Sequence, residues 1–311
     1  MPVIRNNVLE RRKTVSFFIF IAPWIFGFVL FQLIPIFWGL YTSFTNRMAF
    51  TVNLKFVGLA NYIKHLTDGE ILYSFGTTIL YSILHTSIAI LMGFCLALML
   101  EKKIWGRGIF RTLLYFPYML PLIAVGWIFK IFLERDTGYL NIFLTKIGLL
   151  SENIAWLSEF PLLSILSLSF WQAGWSMVIF LGGLSTIPVS LYEAATIDGA
   201  GFMRKLRNII IPLVSPFILF QFITSVVYSM QAFIQPYILN PRPIRGGALM
   251  ATIPPKETFF VMARGYFLII TQFRFASGIA LLWILFIIIM VVTFVFLKMG
   301  AFFVYSESDG R

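Results

Sequence analysis

Charge is scarce in this chain. Of its 311 residues only 12% are Asp, Glu, Lys or Arg, against about 25% in an ordinary soluble domain. Acid is scarcer than base, with 13 Asp and Glu against 24 Lys and Arg. There is one cysteine, Cys95, so no internal disulfide framework is available. The two histidines, His65 and His85, have no spaced partners for a metal and read as loop or helix-packing residues. No Gly-Lys dipeptide occurs anywhere, which excludes the G-x-x-x-x-G-K-[ST] phosphate loop. No group of His, Asp, Glu or Cys converges within the apolar runs, so a membrane-embedded enzyme is disfavoured.

What the chain does have is apolar length. Hydrophobic residues make up 59% and the mean hydropathy is +0.88. The fold class is therefore all-α: a polytopic membrane protein with about six transmembrane helices. The spans are expected at about 15–41, 72–100, 110–132, 161–187, 213–239 and 275–298, as one transmembrane domain, 15–311, after a basic tail, 1–14. A cleaved signal peptide does not fit the first run, which is too long and holds Pro23 and Pro35. The net charge of +11 does not indicate nucleic acid. The cations flank apolar runs, where orientation signals and lipid headgroup contacts sit. Arg11, Arg12 and Lys13, with Lys102, Lys103, Arg107 and Arg111, place the N-terminus on the cytoplasmic side.

One polar stretch, 188–212, separates two apolar runs and reads as a loop of two short helices. Pro188 suits a first helical turn, Val189 to Asp198 form the first helix, and Gly199-Ala200-Gly201 break it. Phe202 to Ile211 form the second, closed by Pro212. A helix–turn–helix of this size at a membrane face suits docking into a groove.

Glu193-Ala194-Ala195, then Gly199, Ile209 and Pro212, resemble the EAA loop of ABC-importer permeases. Ile211 stands where Leu is usual in that pattern. Phe56 to Tyr62 (FVGLANY), Gly106-Arg107 with Phe110-Arg111, and Trp171 are similar to the carbohydrate uptake subfamily of those permeases. The segment from Asn240 to Glu257 departs from it, being longer and richer in proline and cations. The resemblance implies that Glu193, Ala194, Ala195, Asp198, Gly199, Arg204 and Pro212 couple the chain to an ATPase. It implies partners as well: a related second permease, two ATPase subunits carrying ATP and Mg, and an extracellular solute-binding protein. It implies a bacterial-type cytoplasmic membrane, no cofactor and no catalysis in this chain. The solute would be carbohydrate-like: an oligosaccharide, neutral or acidic, or a glycerol phosphate.

The residues themselves suggest a solute path. Polar groups within a span usually face other helices or water. Gln221, Ser225, Tyr228 and Ser229 share one helical face, and Gln172 and Trp175 lie in the fourth span. Rings that cover a sugar's C–H face, with amides and hydroxyls that bind its hydroxyl groups, suit a carbohydrate. Tyr118 and Trp171 are weaker candidates. Helix–helix packing is the competing explanation for all of these. An ion-coupled secondary transporter is the alternative function. It would want an internal repeat and a buried ionisable residue, and neither is evident. The cations Arg242, Arg245, Lys256 and Arg264 leave two uses open, an anionic solute or acidic patches on a binding protein.

Overall fold

The computed structural model describes residues 3–50, 52–102, 105–239, 241–243 and 252–303. Lys103, Arg245 and Arg311, and the side chains of Arg5 and Arg12, lie outside the described residues. Helix α1 runs from Val3 to Phe28, passes through a π-turn at Val29–Leu33 and continues over Ile34–Ser43. Pro23 sits inside it without ending it. Helix α2 is Ala60–Thr67, and α3, Gly69–Glu101, is the longest regular helix described. Asp68 caps α3, accepting from the amides of Glu70 and Ile71 at 2.9 and 3.3 Å.

The third expected span is not one rod. Helices α4 (Arg107–Met119) and α5 (Leu122–Phe132) meet at 94°. Pro121 explains the break: a proline keeps the residue before it out of the helical region, and Leu120 is extended (φ −73°, ψ 142°). Short helices α6 (Tyr139–Lys146) and α7 (Trp156–Glu159) follow. Asn141, fully buried, ties them together. Its amide donates to the carbonyls of Arg135 and Ile154, and its oxygen accepts from Trp156 Nε1 at 2.8 Å. The fourth span divides into α8 (Pro161–Trp171) and α9 (Ala173–Ser185), bent by 42° around Gln172.

The loop after it corrects two expectations. Helix α10 (Val189–Ile197) forms and Gly199 turns the chain with φ +69°. There is no second separate helix, however. Phe202–Lys205 runs through a π-turn, Leu206–Ile210, into Ile211–Met230, making one helix, α11. Pro212 falls in its interior, where the wider π-turn before it accommodates the missing donor. The fifth span also ends at Met230, not near Leu239; α12 (Ile234–Leu239) is a separate short helix. The expected long connection over 240–274 is partly folded. Strands β1 (Arg242–Pro243) and β2 (Thr252–Ile253) pair antiparallel, and α13 (Val261–Tyr266) extends through a π-turn to Thr271. Helix α14 is Phe275–Phe303.

Four of these helices are long and apolar enough to cross a membrane, and the two bent pairs raise the number to six if each is one span. Helix α3 is the central post and packs along α9 and α11. One core cluster joins Leu100, Phe180, Leu184, Ile187, Ile210 and Val214 at the end that carries the 188–201 loop. Another joins Ile71, Phe75, Met230, Val261 and Leu281 at the opposite end. The last part of α1, Ile34–Ser43, packs on α14, whereas none of its 18-residue apolar window is buried against its own chain.

Close helix approach depends on missing side chains. A Cβ on Gly93 would overlap Ser176, and one on Gly174 would strike the backbone carbonyl of Leu114 on α4. The second obstacle is backbone and cannot rotate away. Gly174→Val is therefore expected to lower stability by about 1–3 kcal/mol or more. A thermal melt of detergent-solubilised protein followed by size exclusion checks this; an unchanged midpoint would contradict the packing described.

Candidate functional site

Helices α3, α4, α8, α9 and α11 enclose a cavity of about 210 Å³. Its walls are built from the polar positions of otherwise apolar helices. Gln221 on α11 is buried and donates through Nε2 to Ser176 Oγ and Ser225 Oγ, each at 2.7 Å. Its carboxamide oxygen, also buried, has no hydrogen-bond partner. A buried acceptor left unsatisfied costs free energy, so this wall holds hydrogen-bonding capacity that its own packing does not use. Opposite, Tyr118 and Trp175 stack at 5.1 Å between centroids and 20° between planes. His85 on α3 lies 2.7 Å from Ser169 Oγ through Nδ1 and packs between Tyr81 and Tyr228, at 5.6 and 5.8 Å.

The bend at Gln172 is what brings these groups together. It interrupts the fourth span so that Ser169 and Gln172 from α8's end, and Trp175 and Ser176 from α9, reach the same space. Among the described residues no lysine, arginine or carboxylate lines the cavity. An ion-coupled relay through it would lack its ionisable carboxylate.

Gln172, Trp175, Gln221, Ser225 and Tyr228 all line this cavity. Ser229 does not. It is fully buried and pairs with Ser82 Oγ of α3 at 2.7 Å, a contact between helices. Trp171 packs edge-to-face on Phe129 instead of entering the cavity. Tyr118 earns a larger part than its sequence position suggested. His85, Ser169 and Thr224 also line the wall. The sequence alone gives His85 no role beyond a loop or helix-packing residue, because a lone histidine on an apolar helix carries no spacing signal.

The 188–201 loop is the second candidate surface. Glu193, Ala194, Asp198, Gly199 and Arg204 are exposed, whereas Ala195 and Pro212 are half-buried. Glu193 makes no hydrogen bond or ion pair among the described residues. The same loop and the start of α11 expose apolar side chains: Ile197 at 86%, Met203 at 69% and Phe202 at 58%. Apolar side chains left this exposed together form a patch of the kind that marks an interaction surface. The loop is held to the bundle on its other side. Tyr192 donates its hydroxyl to Glu101 Oε1, at the end of α3, at 2.8 Å. Burial, with the carboxylate beside it, pushes the Tyr192 phenol well above its usual pKa, so it stays a donor. Lys205 Nζ donates to Thr196 Oγ1 at 2.7 Å and closes the turn around Gly199.

Of the cations near the opposite end, Arg264 is engaged within the chain. It reaches Glu70 at 3.3 Å, Ser74, and the ring of Phe259 at 4.5 Å. Lys256 lies over Tyr73 at 4.7 Å. Neither these nor Arg242 lines the cavity.

A model of the family described as "Binding-protein-dependent transport system inner membrane component" matches residues 86–304. The chain is 31% identical over 303 residues to the probable ABC transporter permease protein YesP of Bacillus subtilis (strain 168), covering 96% of this chain and 94% of that one. It is 32% identical over 242 residues to the lactose transport system permease protein LacF of Rhizobium radiobacter, covering 76% and 80%. Its fold is similar to a chain of a bacterial ABC transporter involved in the import of the acidic polysaccharide alginate, with a TM-score of 0.80 at 20% identity, covering 95% of this chain and 98% of that one. A family match over well over half of its length, and a relative alike from end to end, place this chain among the inner membrane components of binding-protein-dependent transport systems, as a permease subunit of an ABC importer.

Proposed function

We propose that this permease passes a neutral, hydroxyl-rich carbohydrate through the cavity between α3, α4, α8, α9 and α11. The observation that carries this is the wall itself: stacked aromatic faces, an unsatisfied amide oxygen and several hydroxyls, with no formal charge. Such a wall covers sugar C–H groups and exchanges hydrogen bonds with hydroxyls. Among the described residues it offers no cation to offset a carboxylate or phosphate, whose burial without one is costly. The volume of about 210 Å³ is below the roughly 300–1,000 Å³ of a complete small-molecule site. A second, related permease would supply the facing wall.

In this reading a loaded binding protein docks at the end of the bundle opposite the 188–201 loop. Two ATPase subunits, holding ATP and Mg, take the loop in a surface cleft, with Glu193 and Gly199 at its centre. The N-terminus lies in the cytoplasm and the bundle in the inner membrane. ATP-driven approach of the ATPases moves the loop, and the helix bundles switch as rigid bodies between two access states. The substrate reading is tested by purifying the binding protein that associates with the complex and screening ligands. Binding of neutral oligosaccharides supports it. Binding restricted to uronates or glycerol phosphates overturns it.

The Tyr192–Glu101 hydrogen bond gives loop movement a route into the wall. His85 lies sixteen residues before Glu101 on the same rigid helix, roughly 24 Å away. Tyr192→Phe removes a bond to a charged group worth about 1.5–3 kcal/mol. It is expected to lower the solute moved per ATP several-fold while ATP hydrolysis continues. Proteoliposome measurements of both rates check this; an unchanged ratio would contradict it.

A further inference from the structure

At the end opposite the loop, the segment between α1 and α2 folds back on the start of α14. Asn61 donates to the carbonyls of Ser43 and Thr45 at 2.8 and 2.9 Å. The Ala276 amide donates to the Arg47 carbonyl and the Ala49 amide to the Phe273 carbonyl, both at 3.0 Å. Buried His65 on α2 reaches the Ser277 carbonyl at 2.7 Å. These contacts bring Arg47, Lys64 and Arg274, from three separate elements, around one cavity of about 210 Å³.

The positive charge there is uncompensated. Among the described residues no carboxylate lines the cavity. Among the described residues none of the three cations makes an ion pair. Arg274 Nε is buried and lacks a hydrogen-bond partner. Asp68, whose charge reaches His65, is occupied as the cap of α3. His65 is held below the usual histidine pKa chiefly by burial, and Lys64 and Arg274 add to this. It therefore brings no compensation and, being neutral, no further charge. Three cations held together without an acid, one with an orphaned buried donor, form a receptor for an anion.

Its height identifies the anion. Helix α1 ends at Ser43 and α14 begins at Phe275, so the cavity lies where two membrane helices leave the apolar layer. That is the level of lipid headgroups. Beside it Met48, Phe50 and Phe273 are exposed at 51%, 89% and 50%, and they line an adjoining recess. Phe273 holds φ +56°, a conformation rare for an aromatic residue, which keeps its ring on this recess next to Phe50 at 6.5 Å.

We infer that Arg47, Lys64 and Arg274 bind the phosphate of a membrane phospholipid, whose upper acyl chain lies against Met48, Phe50 and Phe273. The test uses the whole importer, extracted gently and analysed by native mass spectrometry and a phosphorus assay. Wild type is compared with Arg274→Gln, with the double variant Arg47→Gln/Lys64→Gln, and with Lys256→Gln as a control cation at the same end. Retained phospholipid should fall roughly tenfold in the first two, as expected when charge-assisted bonds are lost, and stay unchanged in the control. The double variant alters two exposed side chains and answers even if Arg274→Gln misfolds. Unchanged lipid in folded variants would overturn the assignment. So would unchanged lipid with weakened binding-protein affinity, which would give these cations to an acidic side chain of that partner. Equal occupancy by inorganic phosphate alone would overturn it too.

Discussion

Glu193→Lys is expected to abolish solute uptake, by roughly tenfold or more, while the chain reaches the membrane at normal levels. The size follows from where the residue sits. Glu193 is exposed on α10 with no partner in its own chain among the described residues, so reversal costs the isolated subunit little. In an interface the same reversal sets a charge against a partner built for the opposite one. Charged pairs in that setting carry about 2–5 kcal/mol, and 1.4 kcal/mol is already tenfold. ATP hydrolysis by the assembled complex should fall out of step with transport. Gly199→Val should act alike through geometry, since φ +69° strains any β-branched residue. Uptake assays normalised to membrane level check both. Normal uptake by Glu193→Lys would remove the loop from the mechanism.

Ser225→Phe should block passage of solute and leave ATP hydrolysis running. Ser225 is buried at the cavity wall, where its hydroxyl accepts from Gln221. A phenyl ring there occupies part of the about 210 Å³ available and displaces the amide. The expected loss of transport is on the order of a hundredfold, the scale that misplacing a bound group reaches. Ser229→Ala is the matched control, one turn further along α11. Ser229 faces Ser82 of α3 and not the cavity, so its loss is expected to touch stability alone. Equal transport defects in the two variants would mean that α11 matters for packing, not passage.

The difference between those two serines also explains how far the sequence could be read. From Gln221, positions 225 and 228 lie within about 40° around the helix, whereas 229 lies about 80° away. Sequence spacing groups all four, but a packed neighbour takes the outermost one. Helix existence, the Gly199 turn and the loop's family pattern were legible because they rest on composition and on local backbone needs. The breaks were legible only in part. Pro121 signals one, yet the 94° between α4 and α5 depends on what each half packs against. Gln172 carries no breaker signal, although Gly174 two residues later permits the close approach to Leu114 that accompanies the bend. The π-turn before Pro212, which lets α11 run on through the proline, has no composition signature. His85 and Ser169 could be found only by closing α3 on α8.

The most direct test of loop coupling is photo-crosslinking from position 197 in the assembled importer. Ile197 is 86% exposed on α10, one turn on from Glu193 and on the same face. A crosslink to the ATPase subunit is expected, with a yield that changes when ATP is added. Crosslinks confined to lipid, or to the solute-binding protein, with none to an ATPase, would contradict it.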